Sequence, residues 1–321
     1  MAGLVDWVVS VDGWLRQAMG APDDEVALPG NDRPPLDGVM PVAALPASGL
    51  SAGAADPFAI RDMICGPGHM LPGGAEEAQW LARPLGLSEK TTLLLLAAGR
   101  GGEAAAIAAG FGTWVEAYEA DHDLLALCEA RLQREQLTRR VHAQPWHPAV
   151  PWFKPRAATH ALALMPLRGI AAGPGLHALA GALRPGGNLV LLELVADRPL
   201  DPSEPAVAAW IRAEQRPPPL SSGAEITQSL VEAGFDVRVV EDEGQRHRRH
   251  VLAGWQRLMA AGPAPLREAR ARVLAEAELW MQRLRLMEMR RLRLVRWHAI
   301  LAARPPGLGE AAASGEAPPK G

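Results

Sequence analysis

The chain has 321 residues, 48% of them hydrophobic, and a formal charge of −3 at pH 7. That is enough to bury the core of one large α/β domain with appendages, or of two smaller domains, and it gives no electrostatic reason to expect nucleic acid or an acidic membrane surface as a partner. Cys65 and Cys128 form no CxxC pair and cannot build a disulfide framework, so a reducing, cytoplasmic setting is expected, and no apolar run reaches the roughly 18 residues of a membrane span.

Residues 1–19 read as an amphipathic helix, with Leu4, Trp7, Val8, Val11, Trp14 and Leu15 near one face. The stretch lacks the basic start and small-residue cleavage site of a secretory signal. Residues 20–55, rich in Pro, Gly and Asp, read as an extended arm. The segment 56–87 reads as a helical leader around Gly66-Pro67-Gly68-His69-Met70-Leu71-Pro72-Gly73-Gly74, with Ala75–Leu85 as a helix.

The core then alternates: strand 91–97, helix 102–110, strand 113–119, helix 121–136, strand 140–144, strand 158–164, helix 173–183, strand 187–194. Such alternation implies a parallel, Rossmann-like doubly wound α/β sheet with right-handed crossovers. A helix over 221–233, closed by Gly234, leads into an alternating strand over 235–241. Gln245–His250 reads as a solvated helix start; its two histidines, three apart, lack a third ligand at metal-binding spacing, so no metal is expected. A charged helix over 265–291 should pack Leu and Met on the core while its arginines reach water. In 294–301 two alternating sets argue for a last strand, and 305–321 reads as a disordered tail.

The segment richest in chemistry is Leu93-Leu94-Leu95-Leu96-Ala97-Ala98-Gly99-Arg100-Gly101-Gly102, with Glu119 ending the next strand. A buried strand feeding a glycine turn, with a carboxylate on the neighbouring strand, suits a nucleoside-bearing cofactor: glycine lets backbone approach the ligand, helix amides face it, and the carboxylate accepts from ribose hydroxyls. Taken alone, Gly99-Arg100-Gly101-Gly102-Glu103-Ala104 also satisfies the dinucleotide fingerprint in its G-x-G-x-x-A form, so an NAD(P)-dependent oxidoreductase is an alternative.

Together with Met70-Leu71-Pro72-Gly73-Gly74-Ala75-Glu76-Glu77, Leu183-Arg184-Pro185-Gly186-Gly187 and Leu230-Val231-Glu232-Ala233-Gly234-Phe235-Asp236-Val237, this pattern resembles class I S-adenosylmethionine-dependent methyltransferases. The similarity is greatest to the small-molecule branch of glycine, sarcosine and phosphoethanolamine N-methyltransferases. The resemblance runs from about Met70 to Pro305 and implies an antiparallel last strand. Together with the residue patterns it divides the chain into an N-terminal helix and arm over 1–55, a methyltransferase-like domain over 56–304 with lid elements 56–74 and 197–220, and a tail over 305–321.

S-adenosylmethionine is then the implied cofactor, held by Ala97, Gly99, Gly101, Glu119 and Gln144, and the implied activity is methyl transfer to a small molecule such as an amine, for which tryptophans could form a cage. The sequence departs from the family where an acid normally sits in the first strand (Leu95), where glycine normally opens the turn (Ala97), and where an acid normally ends the third strand (Gln144-Pro145-Trp146-His147). Gln144 and Trp146 would there serve the adenine. Thr159–Met165 also lacks the polar pair often found on the fourth strand. The departures open a second expectation: a catalytically silent methyltransferase fold acting as a binding or scaffold subunit with a protein partner. His69, His147 and Glu193 are candidates for a general base, and no catalytic residue is assigned.

Overall fold

The computed structural model describes residues 56–168, 170–216, 218–260 and 269–303. The helix expected at 1–19, the arm at 20–55 and the tail at 305–321 lie outside the described residues. Helix α1 (Ala59–Cys65) and helix α2 (Gly74–Ala82) precede strand β1 (Thr92–Leu96), and then come α3 (Gly102–Phe111), β2 (Trp114–Glu119), α4 (His122–Arg134), β3 (Val141–Pro145) and β4 (His160–Leu164). The chain continues through α5 (Ala172–Ala182), β5 (Asn188–Val195), α6 (Pro205–Glu214), α7 (Gly223–Glu232), β6 (Phe235–Asp242), α8 (Gly244–Ala260), α9 (Arg270–Glu288) and β7 (Arg293–Leu301).

The seven strands form one sheet in the order β3-β2-β1-β4-β5-β7-β6. β1 pairs in parallel with β2, Leu95 opposite Ala117, and with β4, Leu95 opposite Leu162. β7 runs antiparallel between β5 and β6, as the resemblance implies, with a bulge near Val237 in β6. The central strands β1, β4 and β5 are apolar on both faces because both are covered, whereas the edge strands β3 and β6 carry exposed polar residues. Leu93, Leu95, Ala117 and Leu162 meet Leu81 of α2, Ile107 of α3 and Leu132 of α4. Leu94, Leu96, Ala161 and Trp297 meet Leu176 of α5 and Leu230 of α7.

Local chemistry explains the element ends. Asp121 caps α4 by accepting from the amides of Asp123 and Leu124, and Ser222 with Glu225 makes a reciprocal capping box at the start of α7. The Pro185-Gly186-Gly187 turn into β5 needs glycine twice: Gly186 has φ of 78°, and a Cβ on Gly187 would collide with the carbonyls of Thr159 and Arg184.

The segment 197–220 contains helix α6, started by Pro205 in its first turn and anchored by Val207 and Trp210, both fully buried with Leu286 and Leu292. Two expectations are corrected. The fourth strand begins at His160, because Ala158 is drawn into a lone bridge with Leu183. The basic cluster at 245–250 does open a helix, but not a solvated one. His247 is only 5% exposed and faces Trp280, while Arg246 and His250 reach Glu77 of α2. The physical reason is a further layer: α1, α8 and α9 bury a core of their own around Ile64, Trp255 and Trp280.

Candidate functional site

The carboxyl ends of β1 and β2 bring Ala97, Gly99, Gly101 and Glu119 together. Ala97, Gly99 and Gly101 all take positive φ (60°, 57° and 82°), so Ala97 adopts the left-handed backbone that glycine would take without strain. The amide of Gly99 donates to Glu119 Oε2 at 2.7 Å, while Oε1 accepts from the amides of Ala120 and Asp121 at 2.8 and 3.0 Å. Burial pushes the Glu119 carboxyl above the ordinary carboxylate range, against the opposing pull of these three amides. Tight packing explains Gly101, where a Cβ would collide with Cys128 Sγ of α4.

Gln144 stands one strand further out. Its side chain donates to Glu116 Oε2 at 2.6 Å, and Glu116 also faces His142. Trp146 is buried in the sheet's second core with its ring 6.1 Å from Phe153, which meets Tyr118 edge-on at 4.9 Å. Its indole N–H has no hydrogen-bond partner among the described residues.

The leader folds over the turn. The amide of Gly102, first in α3, donates to the carbonyl of Gly68 at 3.1 Å, so a helix amide expected to face a ligand is occupied. Arg100 of the turn pairs with Asp62 of α1 and lies over the ring of Phe58, and Asp62 also accepts from the amide of Gly68 at 2.9 Å. Glu103 Oε1 accepts from the amides of Met70 and Leu71 at 2.7 and 3.1 Å. A Cβ on Gly99 would collide with Met70 Cγ, so the thioether side chain lies directly on that glycine.

The base candidates fare differently. His69 is buried beside Glu103, its Nδ1 3.7 Å from Oε1, too far for a hydrogen bond. His147 is exposed on the loop after β3. Glu193 is buried at the end of β5 and paired with an arginine: Oε2 accepts from Leu167 N at 2.8 Å, and Oε1 from Leu194 N at 2.9 Å and Arg216 Nη1 at 2.7 Å. Arg216 also reaches the carbonyl of Met165 just beyond β4, and Arg283, expected to extend to water, is instead buried with a fork onto Glu214.

Sequence reasoning passed over Glu103, Arg216 and Asp62. The available signal was a lone carboxylate in an apolar run, Glu103 in Gly102-Glu103-Ala104-Ala105-Ala106-Ile107 and Glu193 in Leu191-Leu192-Glu193-Leu194-Val195, because a buried charge requires a partner such as Arg216.

No protein-family model and no curated protein matches this sequence. Solved structures do. Haemonchus contortus phosphoethanolamine N-methyltransferase 2, in complex with phosphomonomethylethanolamine and S-adenosylhomocysteine, superposes with a TM-score of 0.63 at 18% identity. The match covers 76% of this chain and 56% of that one, so the chain spans a little over half the length of the nematode enzyme. Geranyl diphosphate C-methyltransferase from Streptomyces coelicolor, with geranyl diphosphate and S-adenosylhomocysteine bound, gives a TM-score of 0.54 at 15% identity, over 70% of this chain and 77% of that one. The [4+2]-cyclase SpnF gives 0.58 at 16% identity, over 76% and 92%. At such identities the likeness establishes the fold, which is the one the sequence resemblance implies. The antiparallel β7 inserted between β5 and β6 also separates this sheet from the dinucleotide-binding strand order 3-2-1-4-5-6.

Proposed function

We propose that the chain binds S-adenosylmethionine at the Ala97–Gly101 turn and transfers its methyl group to a small-molecule acceptor, an amine being the class that the resemblance implies. The observation that carries this reading is Glu119 at the end of β2, tied to the turn through the Gly99 amide. A carboxylate offers about four acceptor positions, and Oε2 of Glu119 uses one within the chain, leaving capacity for the ribose hydroxyls. Ala97, Gly99 and Gly101 would bring backbone against the ligand, and Gln144 would meet the adenine after releasing Glu116.

When bound, the cofactor supplies a methyl group on a positively charged sulfonium. The chain's contribution is to hold and orient the reactants and to exclude water, with the leader 56–74 and the segment 197–220 flanking the crevice between β1 and β4. Two free and buried thiols, Cys65 and Cys128, fit the reducing cytoplasm we assign to the protein. No described helix is long and apolar enough to cross a membrane.

A second reading is favoured by one observation. The Gly102 amide and the face of Gly99 are already taken by Gly68 and Met70, as in a fold that serves as a binding subunit without catalysis. The two readings separate in an assay for S-adenosylhomocysteine release against a panel of primary, secondary and tertiary amines. Turnover on any acceptor supports methyl transfer; cofactor binding without turnover across the panel supports the silent subunit.

A further inference from the structure

We propose that Glu103 is a positioning residue: it latches the leader Gly66–Gly74 over the cofactor turn and thereby sets how fast cofactor enters and leaves. The proposal rests on the assignment of the Gly99 turn as the cofactor site. Glu103 stands in the first turn of α3 and is 1% exposed, yet it points its charge at no lysine or arginine within bonding distance among the described residues. Its Oε1 accepts two consecutive leader amides, Met70 and Leu71, and its Oε2 is buried without a hydrogen-bond partner. Burying a carboxylate is costly unless it is well hydrogen-bonded, so this residue stays in place through the bonds it makes to the leader and through the positive end of the α3 dipole.

What the latch holds is specific. Met70 is the residue whose side chain covers Gly99, and Gly68, two residues earlier, occupies the first amide of α3. The leader is tied at its near end by Asp62 to Arg100 and to the Gly68 amide, so Glu103 and Asp62 clamp the two ends of the strip that covers the turn. A ligand that uses the Gly99 and Gly102 backbone has to displace Met70 and Gly68 first, and the Glu103 bonds are what that displacement breaks.

The test is stopped-flow binding of S-adenosylhomocysteine, followed by tryptophan fluorescence, on the full chain and on Glu103→Ala, Glu103→Gln and Glu103→Asp. Glu103→Ala is expected to raise the dissociation rate about tenfold or more, as loss of two charge-assisted bonds implies. Glu103→Gln, which keeps the Oε1 acceptor, should stay within about threefold of the parent. A purely structural role would lower the melting temperature and leave the dissociation rate alone; unchanged rates in Glu103→Ala overturn the proposal. Should the alanine variant fail to fold, Glu103→Asp, whose shorter side chain draws the acceptor back, replaces it with the same two outcomes. If no variant and no parent protein binds S-adenosylhomocysteine, the cofactor assignment fails, and hydrogen exchange decides the latch alone. Exchange at Met70 and Leu71 at least tenfold faster in the variant supports it, and equal exchange overturns it.

Discussion

At the scale of single residues, Ala97 shows how far the turn departs from the methyltransferase pattern it resembles without losing a left-handed backbone. A left-handed alanine costs about 1–2 kcal/mol relative to an ordinary backbone, and Ala97 accepts that cost at φ 60°. Ala97→Gly removes the strain but returns about 0.4–1 kcal/mol of unfolded-chain entropy. The expected result is a neutral change or a modest gain in stability, up to about 1.5 kcal/mol, measured by urea unfolding. A clear loss would mean that the Ala97 methyl contributes packing that its backbone conceals. The two thiols allow a second test. Burial pushes Cys128 up to about 12 and Cys65 higher still, so neither supplies thiolate at pH 8. Both should resist Ellman's reagent in the native protein and react fully in denaturant; rapid labelling of either under native conditions would contradict their placement.

At the scale of elements, buried charge pairs tie the layers together. Arg216, after α6, fixes the ends of β4 and β5 through Met165 and Glu193, and both partners are about 1% exposed. Removing one member of such a pair strands the other, a loss of about 3–5 kcal/mol. Arg216→Ala should therefore fall in that range by chemical denaturation, and a loss below about 1 kcal/mol would show that Glu193 is hydrated instead.

The α8–α9 contact also gives the fold a pH dependence. His247 is held well below the ordinary histidine range, first by burial and then by Arg283 and His250. A histidine with a depressed folded pKa binds fewer protons than the unfolded chain, so its contribution is complete above about pH 6.5 and lost as pH falls below that value. Glu214, drawn below the ordinary range mainly by Arg283 against the cost of burial, behaves in the same sense at lower pH, with stability lost as pH drops below about 4.5. The fold should thus weaken between about pH 6.5 and 5, and His247→Leu should flatten that slope in a melting series. An unchanged slope would assign the effect to other groups.

Across the whole molecule, legibility follows the range of the interactions. The seven strands and the crossover helices were readable because period-2 and period-3.6 patterns and glycine or proline turns are local. The last strand itself followed from the two alternating sets of Leu294–Leu301, and its antiparallel direction only from the family resemblance. The shape of the Gly99 turn was visible for the same reason, since Gly99 and Gly101 follow β1 directly and Glu119, about twenty residues on, ends the adjoining β2. What escaped was set by contacts distant in sequence. α8 buries the face of His247, Val251 and Trp255 because α1 and α9 pack on it, and the partner of Glu193 is 23 residues away beyond a helix hidden in a proline-rich stretch. The grip of the leader on α3 likewise depends on bonds between Glu103 and amides more than thirty residues earlier, which no periodicity reports.

The central claim is that this fold retains a working cofactor site despite Leu95 and Ala97. Calorimetric titration of the full chain with S-adenosylmethionine and S-adenosylhomocysteine, in parallel with Glu119→Ala, tests it most directly. Micromolar binding that weakens at least about tenfold in Glu119→Ala is the predicted result, as expected for loss of charge-assisted bonds to the ribose. Absence of binding to either ligand, or equal binding by both proteins, would contradict the claim.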